Sequence, residues 1–142
     1  MILLDTNVLS ECLRPQPDAD VLCWLSQQPR GSLFTATIVE GELLYGVRLL
    51  PEGARRTTLL HAVQAIFNDD FAGRVMSFDR EAADAYAQLA SARRTAGKPI
   101  SQFDAMIAAV ALTRGAALAT RNTKDFVDCG IVLINPWIAS AK

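Results

Sequence analysis

Apolar residues in this chain come either in short continuous runs or in longer stretches where they recur every three or four positions. The short runs, at residues 2–4, 33–35, 75–78, 117–119 and 131–134, predict strands. The periodic stretches, at residues 8–13, 19–27, 38–50, 55–71, 81–96 and 102–114, predict helices. Strands alternating with helices in this way imply an α/β fold of three layers, with a mainly parallel central sheet of about five strands covered on both faces. Boundary residues agree with this reading: Pro15 and Pro17 part the first two helices, Gly73 precedes the third strand, and Gly97 and Pro99 part the last two helices. Asn135 and Pro136 close the last strand. At 142 residues the chain fits a single domain spanning residues 1–142, large enough to bury roughly two thirds of its unfolded surface.

In an open parallel sheet the functional crevice lies beyond the carboxyl ends of the strands. Two polar segments fall there, "DTN" after the first strand and "TRNTKDF" after the fourth, together with acids carried on helices that begin near the same edge. In the helix "TIVEGELLYGVRLL", steps of about 100° put Ile38, Val39, Gly46, Leu49 and Leu50 on one arc with Glu42 inside it. Glu40 lies on the far side and has capping-box spacing from Thr37. Glu42 is thus left without a structural task, unless it tilts to solvent or pairs with an arginine. Asp104 is the one acid of the helix "SQFDAMIAAVALTRG"; it has a structural reading as a first-turn residue capped by Ser101. Asp5 has one as the cap of the short helix expected near Val8.

Taken as a set, the three acids ask for more. Two carboxylates about 5 Å apart repel by roughly 3 kcal/mol at an effective dielectric of about 20. A cation or a proton must offset this. The chain has a single histidine, His61, on an expected helix, and three cysteines, Cys12, Cys23 and Cys129, without zinc-like spacing. Chemistry needing two histidines is excluded, and the cysteines read as reduced, partly buried hydrophobes. A hard divalent cation held by oxygen atoms, Mg²⁺ first, is then the economical candidate, and it suits hydrolysis of a phosphodiester by an activated water. There is no Ser-His or Cys-His pairing and no glycine-rich phosphate loop, and "DTN" lacks the second aspartate of a D-x-D phosphatase loop.

These residues resemble a known family. The segments "ILLDTNVLSE", "GELLYG", "FDAMIAAVAL" and "LATRNTKDF", followed by "INPW", are similar to those of the PIN-domain ribonucleases, particularly the VapC and FitB toxins of bacterial type II toxin–antitoxin modules. The resemblance runs over essentially the whole chain. It implies a PIN-like α/β/α fold, Mg²⁺- or Mn²⁺-dependent endoribonuclease activity, and a VapB- or FitA-like antitoxin as partner, with operator DNA bound only through that antitoxin. Carried over by position, Asp5 and Asp104 resemble the metal ligands, with Glu42 as the third acid. Thr6 and Asn7 complete the first motif, and Thr120 resembles the polar residue ending the fourth strand. Asn122 stands where many PIN domains have a fourth aspartate, so it supplies no charge to a second metal; Asp125 either supplies it or caps a turn. Arg121 and Lys124 are either contacts for RNA phosphates or two solvated loop charges.

Composition adds little to this picture. A net charge of −1 gives no global attraction for nucleic acid, so any RNA surface must be local. The 11 arginines against 3 lysines are compatible with phosphate recognition. The longest uncharged apolar run, residues 105–112, is too short to cross a membrane, and no basic signal-like flank opens the chain, so the expected compartment is the cytoplasm. Alanine and leucine in "EAADAYAQLASARRTAG" exceed what one sheet face needs, which predicts a homodimer with an apolar groove for the antitoxin. The rival reading is a PIN-like binding protein, weak in catalysis, that acts mainly in a complex with antitoxin and DNA.

Overall fold

The computed structural model describes residues 1–139. Five strands, β1 (Ile2–Leu4), β2 (Leu33–Ala36), β3 (Val75–Met76), β4 (Ala117–Ala119) and β5 (Leu133–Ile134), form one sheet in the order β3-β2-β1-β4-β5. Every pairing is parallel, with Ile2 in register with both Leu33 and Ala117. Consecutive residues of a strand face opposite sides of a sheet. In β1 both Leu3 and Leu4 are buried, and in β4 both Leu118 and Ala119 are, so helices cover both faces.

The helices are α1 (Thr6–Cys12), α2 (Ala19–Ser26), α3 (Thr37–Arg48), α4 (Ala54–Ala65), α5 (Arg80–Thr95), α6 (Gln102–Thr113) and α7 (Pro136–Ala139). Their ends explain most departures from the expected bounds. Helix α1 begins at Thr6, not near Val8, because the Asp5 carboxylate accepts the Thr6 N–H at 2.7 Å. Strand β3 stops at Met76 because Asp79 caps α5, accepting the Ala82 N–H at 2.9 Å, and draws the chain off the sheet. The long helix expected through Phe71 ends at Ala65 and continues as one widened π turn, Ile66–Asp70, closed by the Phe71 N–H on the Ile66 carbonyl. Asn135 and Pro136 start α7 as well as ending β5: the Asn135 side chain accepts the Trp137 N–H at 2.9 Å, and proline suits the first helical position.

Helix α3 corrects two expectations. There is no capping box at Thr37 and Glu40, since β2 runs straight into the helix, Ala36 is the N-cap and no side chain caps it. The buried face is Ile38, Val39, Leu43 and Val47, whereas Gly46 and Leu49 of the expected apolar arc are exposed; Glu42 is half-buried, between Ile38 and Val39 around the helix.

One buried acid was not singled out by the sequence. Glu11, only 5% exposed, accepts the Asp18 N–H at 2.9 Å and pairs with Arg14, which ties the α1–α2 connection to α1. Glu11→Ala leaves that N–H without its acceptor and should cost about 1–3 kcal/mol in urea unfolding, with most of the loss recovered by Glu11→Gln.

Candidate functional site

The sheet order reverses at β1: β2 and β3 extend to one side of it, β4 and β5 to the other. The crevice of such a sheet opens at this switch point, beyond the carboxyl ends of β1 and β4. Asp5 and Thr120 are the residues immediately following those two strands. The Asp5 N–H bonds to the Ala119 carbonyl at 3.0 Å and the Thr120 N–H to that of Ile134 at 2.9 Å, so both backbones are fixed by the sheet itself.

Asp5 is 4% exposed and Thr120 fully buried. The Thr120 hydroxyl donates to Asp5 Oδ2 at 2.7 Å, and the Asn7 amide reaches both Asp5 Oδ2 (3.4 Å) and Thr120 Oγ1 (3.2 Å). Asn7 Oδ1 in turn accepts the Arg121 N–H at 3.2 Å, and Thr120 Oγ1 accepts that of Asn122 at 3.1 Å. The Thr6 hydroxyl donates to Glu42 Oε1 at 2.7 Å and joins α3 to the network. Asp5 Oδ1 carries one hydrogen bond, from Thr6, which leaves a lone pair for a further partner.

Asp104 lies in the first turn of α6, where Ser101 Oγ accepts its N–H at 3.2 Å. Burial raises the Asp104 carboxyl above the usual range, the Ser101 hydroxyl opposes this, and the charge of Asp125 adds to the rise. Burial likewise pushes Asp5 up to about 6, against the hydrogen bonds from Thr120 and Thr6, with Asp104 and Glu42 raising it further. Four acids are thus linked at this edge of the sheet, Glu42 and Asp104 acting on Asp5 and Asp125 on Asp104. Among the described residues the ion pairs are Arg14–Glu11, Arg56–Glu52 and Arg114–Asp79, so none of the four is neutralised by a paired cationic side chain.

No three carboxylate, histidine or cysteine side chains among the described residues stand close enough to form a ready-made cation cage. The donors nonetheless suit a hard cation that takes one or two carboxylates and keeps its waters. They are oxygen atoms only, clustered around a buried carboxylate whose charge is uncompensated. His61 is exposed, as are Asn122 and Lys124, on the loop that follows β4. Arg121 is exposed as a residue, yet its guanidinium lies 5.0 Å from the centroid of the Trp137 ring, a cation–π contact that sequence reading did not foresee. Beside Glu42 opens an apolar groove of about 420 Å³ lined by Ile38, Tyr45, Phe78, Phe103 and Met106.

A family model described as PIN domain matches residues 2–130. The chain is 40% identical to the VapC ribonuclease Y4jK of Sinorhizobium fredii, over 96% of this chain and 98% of that one. It is also 40% identical to the toxin FitB of Neisseria gonorrhoeae, over 96% and 99%. Among solved structures, FitAB bound to an IR36 DNA fragment superposes with a TM-score of 0.90 at 39% identity, covering 96% of both chains.

Proposed function

The chain belongs to the PIN-domain family, and on that premise we propose that it is the toxin of a bacterial type II toxin–antitoxin module, a cytoplasmic Mg²⁺-dependent endoribonuclease built as a single domain. The observation that carries the chemical part is the buried Asp5 carboxylate, faced by Glu42 and Asp104 and, among the described residues, paired with no cationic side chain. Asp5 and Asp104 would hold Mg²⁺, or Mn²⁺, and a divalent ion there would supply acidification of a water and neutralisation of phosphate charge. Thr120 and the Thr6 N–H fix both oxygens of Asp5, so the carboxylate meets the ligand in one orientation. Glu42, fixed by the Thr6 hydroxyl, accepts the proton of the attacking water. Asn122 contributes an amide without charge, and Asp125 adds negative charge that acts on Asp104. Arg121, held over Trp137, and Lys124 contact RNA phosphates.

Purified, antitoxin-free protein should cleave structured RNA in the presence of Mg²⁺ or Mn²⁺ and stop on chelation. Absence of cleavage across a broad panel of tRNA, rRNA and mRNA, with the protein folded, would refute the nuclease reading. The alternative of a weakly catalytic binding protein draws on Asn122, and calorimetry separates the two, since it requires that no divalent site of millimolar or tighter affinity exist.

The partner is a small antitoxin of the VapB or FitA kind, through which alone the protein reaches operator DNA; the solved FitAB–DNA complex supports this assignment. A second copy of the chain completes the assembly, using apolar surface that one sheet face does not consume, as the exposed Ala83, Ala87 and Ala92 on α5 illustrate. Sedimentation at micromolar concentration should give twice the chain mass; a monomer would remove this element.

A further inference from the structure

Two loops position acids of the site from the α5–α6 side, one by capping the helix that carries Asp104 and one by carrying Asp125. Residues 96–101 connect α5 to α6 and end in Ser101, the cap beneath Asp104. The loop after β4 carries Asp125 in a 3₁₀ turn, Thr123–Phe126, and continues through Cys129. A single side chain, half-buried on α5, binds both. Arg93 Nε donates to the Lys98 carbonyl at 2.7 Å. Its Nη1 donates to the carbonyls of Asp125 (3.2 Å) and Val127 (2.9 Å) and to Cys129 Sγ (3.4 Å).

The second loop shows why such a clamp is needed. Asp128 has φ = 64°, the one non-glycine residue with positive φ among those described, and such a conformation persists only where its surroundings over-determine it. The Arg93 contacts fall on both sides of it, at Val127 and Cys129. Phe126, 1% exposed, anchors the same loop from inside the core. Asp125 therefore sits between an apolar anchor and a guanidinium clamp, with its own carbonyl in the clamp.

We propose that Arg93 is a positioning residue of the acid site, a guanidinium that locks the 96–101 connection to the loop after β4 and so holds Asp125 toward Asp104. The inference rests on the metal-site reading above. Arginine suits the task because its fork of donors reaches several carbonyls at once, which lysine or glutamine cannot match. Acting through Asp125, Arg93 touches neither metal nor RNA.

The test is Mn²⁺ affinity, measured by calorimetry on the full chain without RNA or antitoxin. Arg93→Gln should weaken Mn²⁺ about tenfold and Asp125→Asn by a similar factor, in the range of losses for groups that orient metal ligands. Arg93→Lys should fall between Arg93→Gln and the wild type. The decisive measurement is the double variant: if Arg93 acts through Asp125, adding Arg93→Gln to Asp125→Asn weakens binding no further. A purely structural role predicts losses that multiply, and that result, or unchanged Mn²⁺ affinity in a folded Arg93→Gln protein, overturns the inference. Failure of Mn²⁺ to bind the wild type overturns the metal reading and this inference with it, so the wild-type titration tells the two failures apart. Thermal melts of each variant establish folding, and Arg93→Lys carries the comparison if Arg93→Gln does not fold.

Discussion

Asp5→Asn and Asp104→Asn should each slow RNA cleavage at saturating Mg²⁺ by about 10³-fold, equivalent to about 4 kcal/mol of lost transition-state stabilisation. Either change removes half of the charge with which the two proposed ligands hold the cation, while preserving side-chain volume. Glu42→Gln should cost about 10²-fold, the usual contribution of a positioned proton acceptor, and should leave Mg²⁺ affinity closer to wild type. Asn122→Ala should cost less than any of the acids, since the residue it replaces is exposed and uncharged. The assay is single-turnover cleavage of a defined RNA over a range of Mg²⁺ concentrations, with folding verified for each variant. Wild-type rates in both aspartate variants would refute the assignment of those residues. Equal losses for Asn122→Ala and Asp5→Asn would instead mean that positioning in the loop after β4, and not charge, governs the site.

The parts of this arrangement legible in the sequence are those whose signal lies in consecutive residues. Leu3, Leu4, Leu118 and Ala119 are apolar because both faces of the sheet are covered, so their strands read directly as runs. The "DTN" turn was legible because three polar residues break such a run. What could not be read are relations created by strand order. Asp5 and Thr120 are 115 positions apart and meet because β1 and β4 are neighbours, a pairing that no local pattern encodes. Thr37 and Glu40 have capping-box spacing, yet β2 enters α3 without a break and makes Ala36 the N-cap, so Thr37 stands at the first helical position instead of the capping one. Arg93 left no trace because its partners are backbone carbonyls and a thiol, and any residue type provides the former.

The variant that loses activity should also gain stability. The folded-state pKa of Asp5 is raised from 3.8 to about 6, so folding favours the protonated acid. The sign of the pH effect follows: this group's stabilising contribution is complete below about pH 3.8 and is lost as pH rises through about 6. At neutral pH the metal-free protein therefore carries a buried charge costing about 3 kcal/mol, from roughly 1.4 kcal/mol per pKa unit. Asp5→Asn removes that charge. The amide can accept the Thr6 N–H but must turn its NH₂ toward Thr120, whose hydroxyl already accepts from Asn7 and Asn122, so about 1 kcal/mol of hydrogen bonding is lost. In chelator at pH 7.5 the variant should then be more stable than wild type by about 2 kcal/mol in urea unfolding, and near pH 4 the difference should vanish or reverse. Millimolar Mg²⁺ should stabilise the wild type and not the variant, because a ligand stabilises only the state that binds it. A variant less stable than wild type at pH 7.5 would show that Asp5 is held by its hydrogen bonds more strongly than its burial opposes it. The predicted gain, in a protein that no longer cuts RNA, would locate at Asp5 the stability given up to keep an unpaired carboxylate ready for a cation.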